Sequence, residues 1–172
     1  TMPRRLEDTP AFLTYPGENG RVVYSEGLFT GYRWYEARRL PVAFPFGHGL
    51  GYTTFRWGEP SLDEIPSIAE LEAGATVTVT VPVTNSGDRA GSEVVQCYVA
   101  PTAPRLTRPV RELQGFAKVR LEPGGSADVV IQLDHRAFAY WDPGDPGHSE
   151  RLSRVPVAAG QGSGPRDEPG WH

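Results

Sequence analysis

Two glutamates, one histidine and a run of aromatics are the groups in this sequence whose chemistry could be put to use. Glu18 and Glu26 stand among glycines and aromatics, and a pair of carboxyl groups can share general-acid and general-base work when a rigid scaffold holds them at a set distance. An irregular stretch of chain sets no such distance, so hydrogen bonding to backbone within loop packing is the better reading for both. His48 lies between Gly47 and Gly49 and carries an imidazole that titrates near neutrality. No Cys, second His or Asp stands at ligand spacing from it, which predicts a histidine that closes a turn rather than one that holds a metal. Tyr32, Arg33, Trp34 and Tyr35 could stack on the rings of a ligand, but aromatic and snorkelling side chains in one cluster fit an interface between domains better. Arg108, Arg111 and Glu112 could form an ion-pair network or a contact surface. Exposed pairs contribute only about 0–1 kcal/mol each, so docking geometry is their expected role.

The elements that would position these groups fall into three stretches. Residues 1–57 are rich in aromatics and glycine without sustained periodicity. The best helix candidate there covers residues 26–36, where Gly27 and Gly31 allow at most a short or broken helix. Residues 44–52 hold Pro45 and three glycines, Gly47, Gly49 and Gly51, and read as a turning segment anchored by aromatics. From about Thr54 the pattern becomes that of strands. Residues 75–81 alternate Thr with Val, which predicts a strand with one buried face, and Pro82 points to an edge position or a bulge. Asn85-Ser86-Gly87-Asp88 reads as a hairpin turn. Residues 92–99 form the next strand, apolar on both faces and therefore an inner one. Residues 112–121, interrupted by Gly115, give a third, and residues 122–125 turn into a fourth over 127–133. Residues 138–141 form a last short aromatic strand. Evenly spaced short strands with turn signals between them predict an all-β antiparallel sandwich of immunoglobulin or fibronectin kind. Beyond Asp142, Gly, Pro, Arg and Ser dominate and a disordered tail is expected, with one weak strand at most over residues 151–157.

Composition narrows the function classes. A formal charge of −4 with no basic stripe argues against nucleic acid. No apolar run reaches the ~20 residues of a membrane helix. Cys97 is the only cysteine, so neither an internal disulfide nor a thiolate metal site can form within the chain. That is compatible with a reducing compartment, and the reading leans to the cytoplasm.

The order of several motifs carries a resemblance. Arg5-Leu6-Glu7-Asp8-Thr9-Pro10 is followed by Tyr15-Pro16-Gly17-Glu18-Asn19-Gly20, Tyr24-Ser25-Glu26-Gly27 and Gly31-Tyr32-Arg33-Trp34-Tyr35. After Phe44-Pro45-Phe46-Gly47-His48-Gly49-Leu50-Gly51-Tyr52 come Val83-Thr84-Asn85-Ser86-Gly87, Arg108-Pro109-Val110-Arg111-Glu112-Leu113-Gln114-Gly115-Phe116 and Leu121-Glu122-Pro123-Gly124. In this succession residues 1–142 resemble the carboxy-terminal part of family-3 glycoside hydrolases of the β-glucosidase type. The resemblance implies that residues 1–57 end an α/β sandwich domain and that residues 58–142 form a fibronectin type III-like domain short of its last strands. Residues 143–172 diverge from the family, and their composition reads as a change of frame near residue 142. In that family a barrel-like domain supplies an aspartate nucleophile and the α/β sandwich domain an acid/base glutamate, as retaining hydrolysis requires. Both belong to motifs outside this chain, so no catalytic, cofactor-binding or metal-ligating residue is assigned here. The expected function is a non-catalytic scaffold whose partners are the catalytic domains, with a β-glucoside reached only through them. The alternatives are a carbohydrate- or polymer-binding module and a truncated product. A binding module would need coplanar exposed aromatics, and Trp57, Tyr98 and Trp141 are scattered.

Overall fold

In the computed structural model, which describes residues 1–144 and 157–161, the Thr/Val alternation becomes β5, Val77–Asn85. Its valines Val77, Val79, Val81 and Val83 are all buried, because successive strand side chains face opposite sides and only one side meets the core. Short strands β3, Phe55–Trp57, and β4, Ser61–Leu62, share one edge of β5, while β8, Ser126–Leu133, pairs along the other. The facing sheet has β6, Gly91–Val99, at its centre, flanked by β7, Glu112–Leu121, and β9, Val157–Gln161. Val95, Cys97, Val99 and Leu121 from that sheet meet the β5 valines and Val129, Ile131 and Leu133 of β8 in one core. This is the expected all-β sandwich.

Several local expectations are corrected. Pro82 does not mark an edge, since β5 is paired on both sides. It lies opposite the gap between β3 and β4, where its carbonyl accepts from Gly58 N (2.8 Å), so its missing N–H is needed by no ladder partner. The Asn85–Asp88 stretch is not a hairpin turn either, because β5 and β6 belong to different sheets. Residues 138–141 form no strand. A 3-10 turn, His135–Phe138, is capped by Asp134, whose side chain accepts from Arg136 N (3.0 Å), and it buries Ala137 and Phe138. Within the stretch expected to be a disordered tail, β9 pairs antiparallel with Val95–Val99 of β6, so this sheet gains a strand on the side that the sequence reading left open. The rest of that expectation lies outside the described residues.

Gly115 lets the sheets approach. A Cβ there would stand 2.6 Å from Ile131 Cγ2 and 3.1 Å from Leu133 Cδ2. The predicted interruption of β7 is thus a close crossing, with the register shift falling opposite, between Cys97 and Tyr98.

Residues 1–57 add little regular structure: β1, Met2–Pro3, pairs with β2, Val42–Phe44, and the helix candidate shrinks to α1, Tyr32–Ala37. Gly27 and Gly31 both take φ +56°, a left-handed conformation that ends any helix on that side. A second helix, α2, Ile68–Glu72, was not anticipated. Ser67 and Glu70 form a capping box, in which the Ser67 hydroxyl accepts from Glu70 N (3.3 Å) and Glu70 Oε2 accepts from Ser67 N (2.8 Å). That S-x-x-E spacing was the available signal.

Candidate functional site

The outer face of β6 would meet water in a lone sandwich, yet Gln96 and Tyr98 on that face are buried. Residues 1–57 cover them. The Tyr32 ring of α1 packs edge-on against Tyr98 (5.6 Å between centroids) and tilts against Phe46 (5.7 Å), and its hydroxyl accepts from Leu113 N of β7 (2.8 Å). Gly47, at φ +81°, lies so close to Gln96 that a Cβ would stand 2.1 Å from Nε2. Tyr98 donates its hydroxyl proton to Gln96 Oε1 (2.5 Å). Burial pushes the Tyr98 phenol up to about 12, so it stays a donor at any ordinary pH.

Charges close the rim of this contact. The Arg111 guanidinium sits over the Tyr98 ring (4.9 Å) and donates to Glu36 Oε1 of α1 through Nε (2.8 Å) and through Nη2. Glu112 accepts from Arg108 Nη2 (2.8 Å), with Arg33 Nη2 at 3.7 Å on its other oxygen. Arg108 also lies over the Tyr140 ring (4.7 Å). The trio singled out in the sequence therefore joins the sandwich to α1. Planar guanidinium groups suit this dual use because they hydrogen-bond in plane while stacking on rings.

A second latch binds the amino-terminal residues to α1. Trp34 Nε1 donates to the Asp8 carbonyl (2.9 Å) while the Arg38 guanidinium stacks on the indole (3.8 Å). Arg5 donates to the Asp8 carboxylate (Nη2 to Oδ1, 2.8 Å) and by this hydrogen bond holds that carboxyl below its usual range. Tyr35 is buried beneath.

The sequence candidates are separated by this geometry. The backbone of Glu18 closes a turn with Arg21, exchanging N–H and carbonyl bonds of 3.0 and 2.9 Å. Glu18 lines a groove with Leu13, Tyr15 and Arg21 to which Glu26 does not contribute, and the Glu26 carbonyl instead accepts from Phe29 N (2.9 Å). The two are not gathered into one cleft. His48 closes a turn by donating its backbone N–H to the Pro45 carbonyl (3.1 Å), and its ring leans on Phe44 (4.8 Å). Among the described residues no group of three or more His, Cys, Asp or Glu side chains could hold a metal. Trp57 packs against the core, Tyr98 is buried and Trp141 is exposed, so they form no common platform.

Sequence reading missed Glu36, Gln96 and Gly47 as interface residues. The one available hint was Gln96 and Tyr98 on the otherwise outward face of an inner strand. Together with Thr1, Arg39, Leu40 and Val42, the interface residues Tyr32, Glu36, Phe46, Tyr98 and Arg111 line an open cleft of about 220 Å³.

Comparison with known proteins agrees with this architecture. Residues 93–150 match the fibronectin type III-like domain model. The chain is 49% identical over 143 residues to the probable beta-glucosidase I of Emericella nidulans, covering 83% of this chain and 17% of that protein. The Aspergillus clavatus protein of the same name is equally similar over the same span. The crystal structure of a Bifidobacterium adolescentis GH3 beta-glucosidase superposes with a TM-score of 0.78 at 36% identity, over 94% of this chain and 25% of that one. A Kluyveromyces marxianus beta-glucosidase superposes at 0.73 and 37% identity, over 92% and 20%. The chain thus spans about one sixth of the length of the curated relatives it matches.

Proposed function

We propose, from the premise that this chain is the carboxy-terminal, fibronectin type III-like portion of a family-3 glycoside hydrolase of the β-glucosidase kind, that it buttresses the catalytic domains without supplying catalytic groups. The hydrolysis of β-glucosides belongs in this reading to the rest of the enzyme. Neither Glu18 nor Glu26 takes part in it, and no cofactor or metal is held by these residues.

One observation carries the proposal. The sandwich core is sealed, with Val81, Val83, Val95 and Cys97 fully buried, whereas Leu13, Tyr15, Tyr24, Leu50 and Tyr52 in residues 1–57 are each more than three-quarters exposed. Large apolar side chains left in water beside a closed core mark a surface made for a partner. Relatives about five times as long supply a candidate for that partner within the same enzyme. Phe44 and Phe46, about half exposed, extend the surface toward the interface with β6.

The test is an assay of the purified chain on an aryl β-glucoside. No turnover above buffer is expected. Co-expression with the barrel and α/β portions of a relative lacking this region is expected to restore activity, and to do so equally well with Glu18→Gln and Glu26→Gln together. Turnover by the chain alone that persists after purification from a host without β-glucosidases, or its loss in the double variant, would overturn the reading.

A further inference from the structure

The cleft between α1, the loop at Pro45–Phe46 and the outer face of β6 holds chemistry that packing leaves unused. We infer that it binds a single neutral hydroxylated ring of hexose size.

Its volume, about 220 Å³, falls below the roughly 300–1,000 Å³ of sites for drug-sized ligands, which limits an occupant to one ring. Tyr32 and Phe46 supply aromatic walls suited to the apolar face of such a ring. Two polar atoms among the lining residues, Glu36 Oε2 and Thr1 Oγ1, are buried without a hydrogen-bond partner. Buried polar atoms are rarely left unpaired, so the carboxylate oxygen calls for a donor, and the hydroxyl for a partner, that the described residues do not provide. Glu36 is also held still, because its other oxygen is engaged by Arg111, and an anchored carboxylate oxygen accepts a hydroxyl proton with little further ordering.

Charge then selects the ligand class. Glu36 and Arg111 neutralise each other, the free Glu36 Oε2 needs a donor that an anion does not bring, and Arg39 at the same cleft disfavours a cation. A neutral donor remains, and hydroxyl groups on a ring with an apolar face satisfy both the carboxylate and the aromatic walls.

The experiment is a two-dimensional amide NMR titration of the chain with glucose, methyl β-glucoside and glycerol, each to roughly 100 mM. Saturable shifts confined to the amides of Tyr32, Glu36, Phe46, Tyr98 and Arg111, with Kd on the order of millimolar, are expected for the two ring compounds and not for glycerol. Phe46→Ala, at a half-exposed position, should abolish the shifts while the β5 and β8 amides keep their positions, and Glu36→Gln should weaken binding by about fivefold or more. Linear shifts, an equal response to glycerol, or binding undiminished in Phe46→Ala would overturn the inference. Because no turnover is read, its failure is distinct from a failure of the scaffold proposal.

Discussion

Asn85 shows how one side chain can hold several segments in place. Fully buried at the end of β5, it donates to the carbonyls of Arg89 (2.7 Å) and Leu121 (3.1 Å) and accepts from Thr53 Oγ1 (2.6 Å) and Gly87 N (3.1 Å). Every hydrogen-bonding capacity of the amide is used, and the backbone of the same residue bonds Gly124 and Gly125. Asn85→Ala would leave these groups without their partner, the Leu121 carbonyl in a buried place. A loss of about 3 kcal/mol is expected from urea unfolding, and a loss under ~0.5 kcal/mol would contradict the role. Cys97, also fully buried, has its thiol pushed up to about 11 by desolvation. Since the thiolate is the reactive species, the native chain at pH 7.5 should react with iodoacetamide at least about a hundredfold more slowly than the urea-unfolded chain. Comparable rates would show the core to be open.

At the scale of elements, the sandwich depends on a crossing with room for no side chain. Gly115 of β7 faces Ile131 and Leu133 of β8 at distances below a normal Cβ contact, and both partners are buried and unable to swing away. Overfilling a packed core costs typically 1–3 kcal/mol. Gly115→Ala should therefore lower stability by about that amount in thermal or urea unfolding. A neutral result would mean that β8 can shift away from β7. The glycine was visible in the sequence as an interruption, but its partners lie in another sheet, and only the fold names them.

For the whole molecule, the question is how firmly residues 1–57 ride on the sandwich. The contact relies on Tyr32, Arg111 and Glu36 more than on apolar burial, since much of the aromatic surface of the segment faces solvent. Partly exposed ion pairs contribute modestly. Arg111→Ala combined with Tyr32→Phe should therefore leave the unfolding midpoint of the sandwich nearly unchanged. The same pair should speed hydrogen exchange at the backbone amides of Arg38 and Leu40, which bond Trp34 and Tyr35 carbonyls, by about tenfold or more. Equal acceleration throughout β5 and β8 would show instead that segment and sandwich unfold as one.

The sequence alone determined the class of fold, because Thr/Val alternation in β5 and the two apolar faces of β6 are local consequences of strand geometry. The family was likewise legible, since motif order survives without any knowledge of contacts. Tertiary structure decided what local pattern cannot encode. Pro82 became tolerable inside β5 only because β3 and β4 leave a gap opposite it. Val157–Gln161 became a strand only beside β6, its own composition being too weak to specify one. Both sides of the interface were read as contact surfaces, but the pairing across it was hidden, because Glu36 and Arg111 are 75 residues apart and nothing in either neighbourhood refers to the other. Their pairing follows from the β6 outer face, where Tyr98 and Gln96 need covering and the chain that covers them comes from far away in sequence.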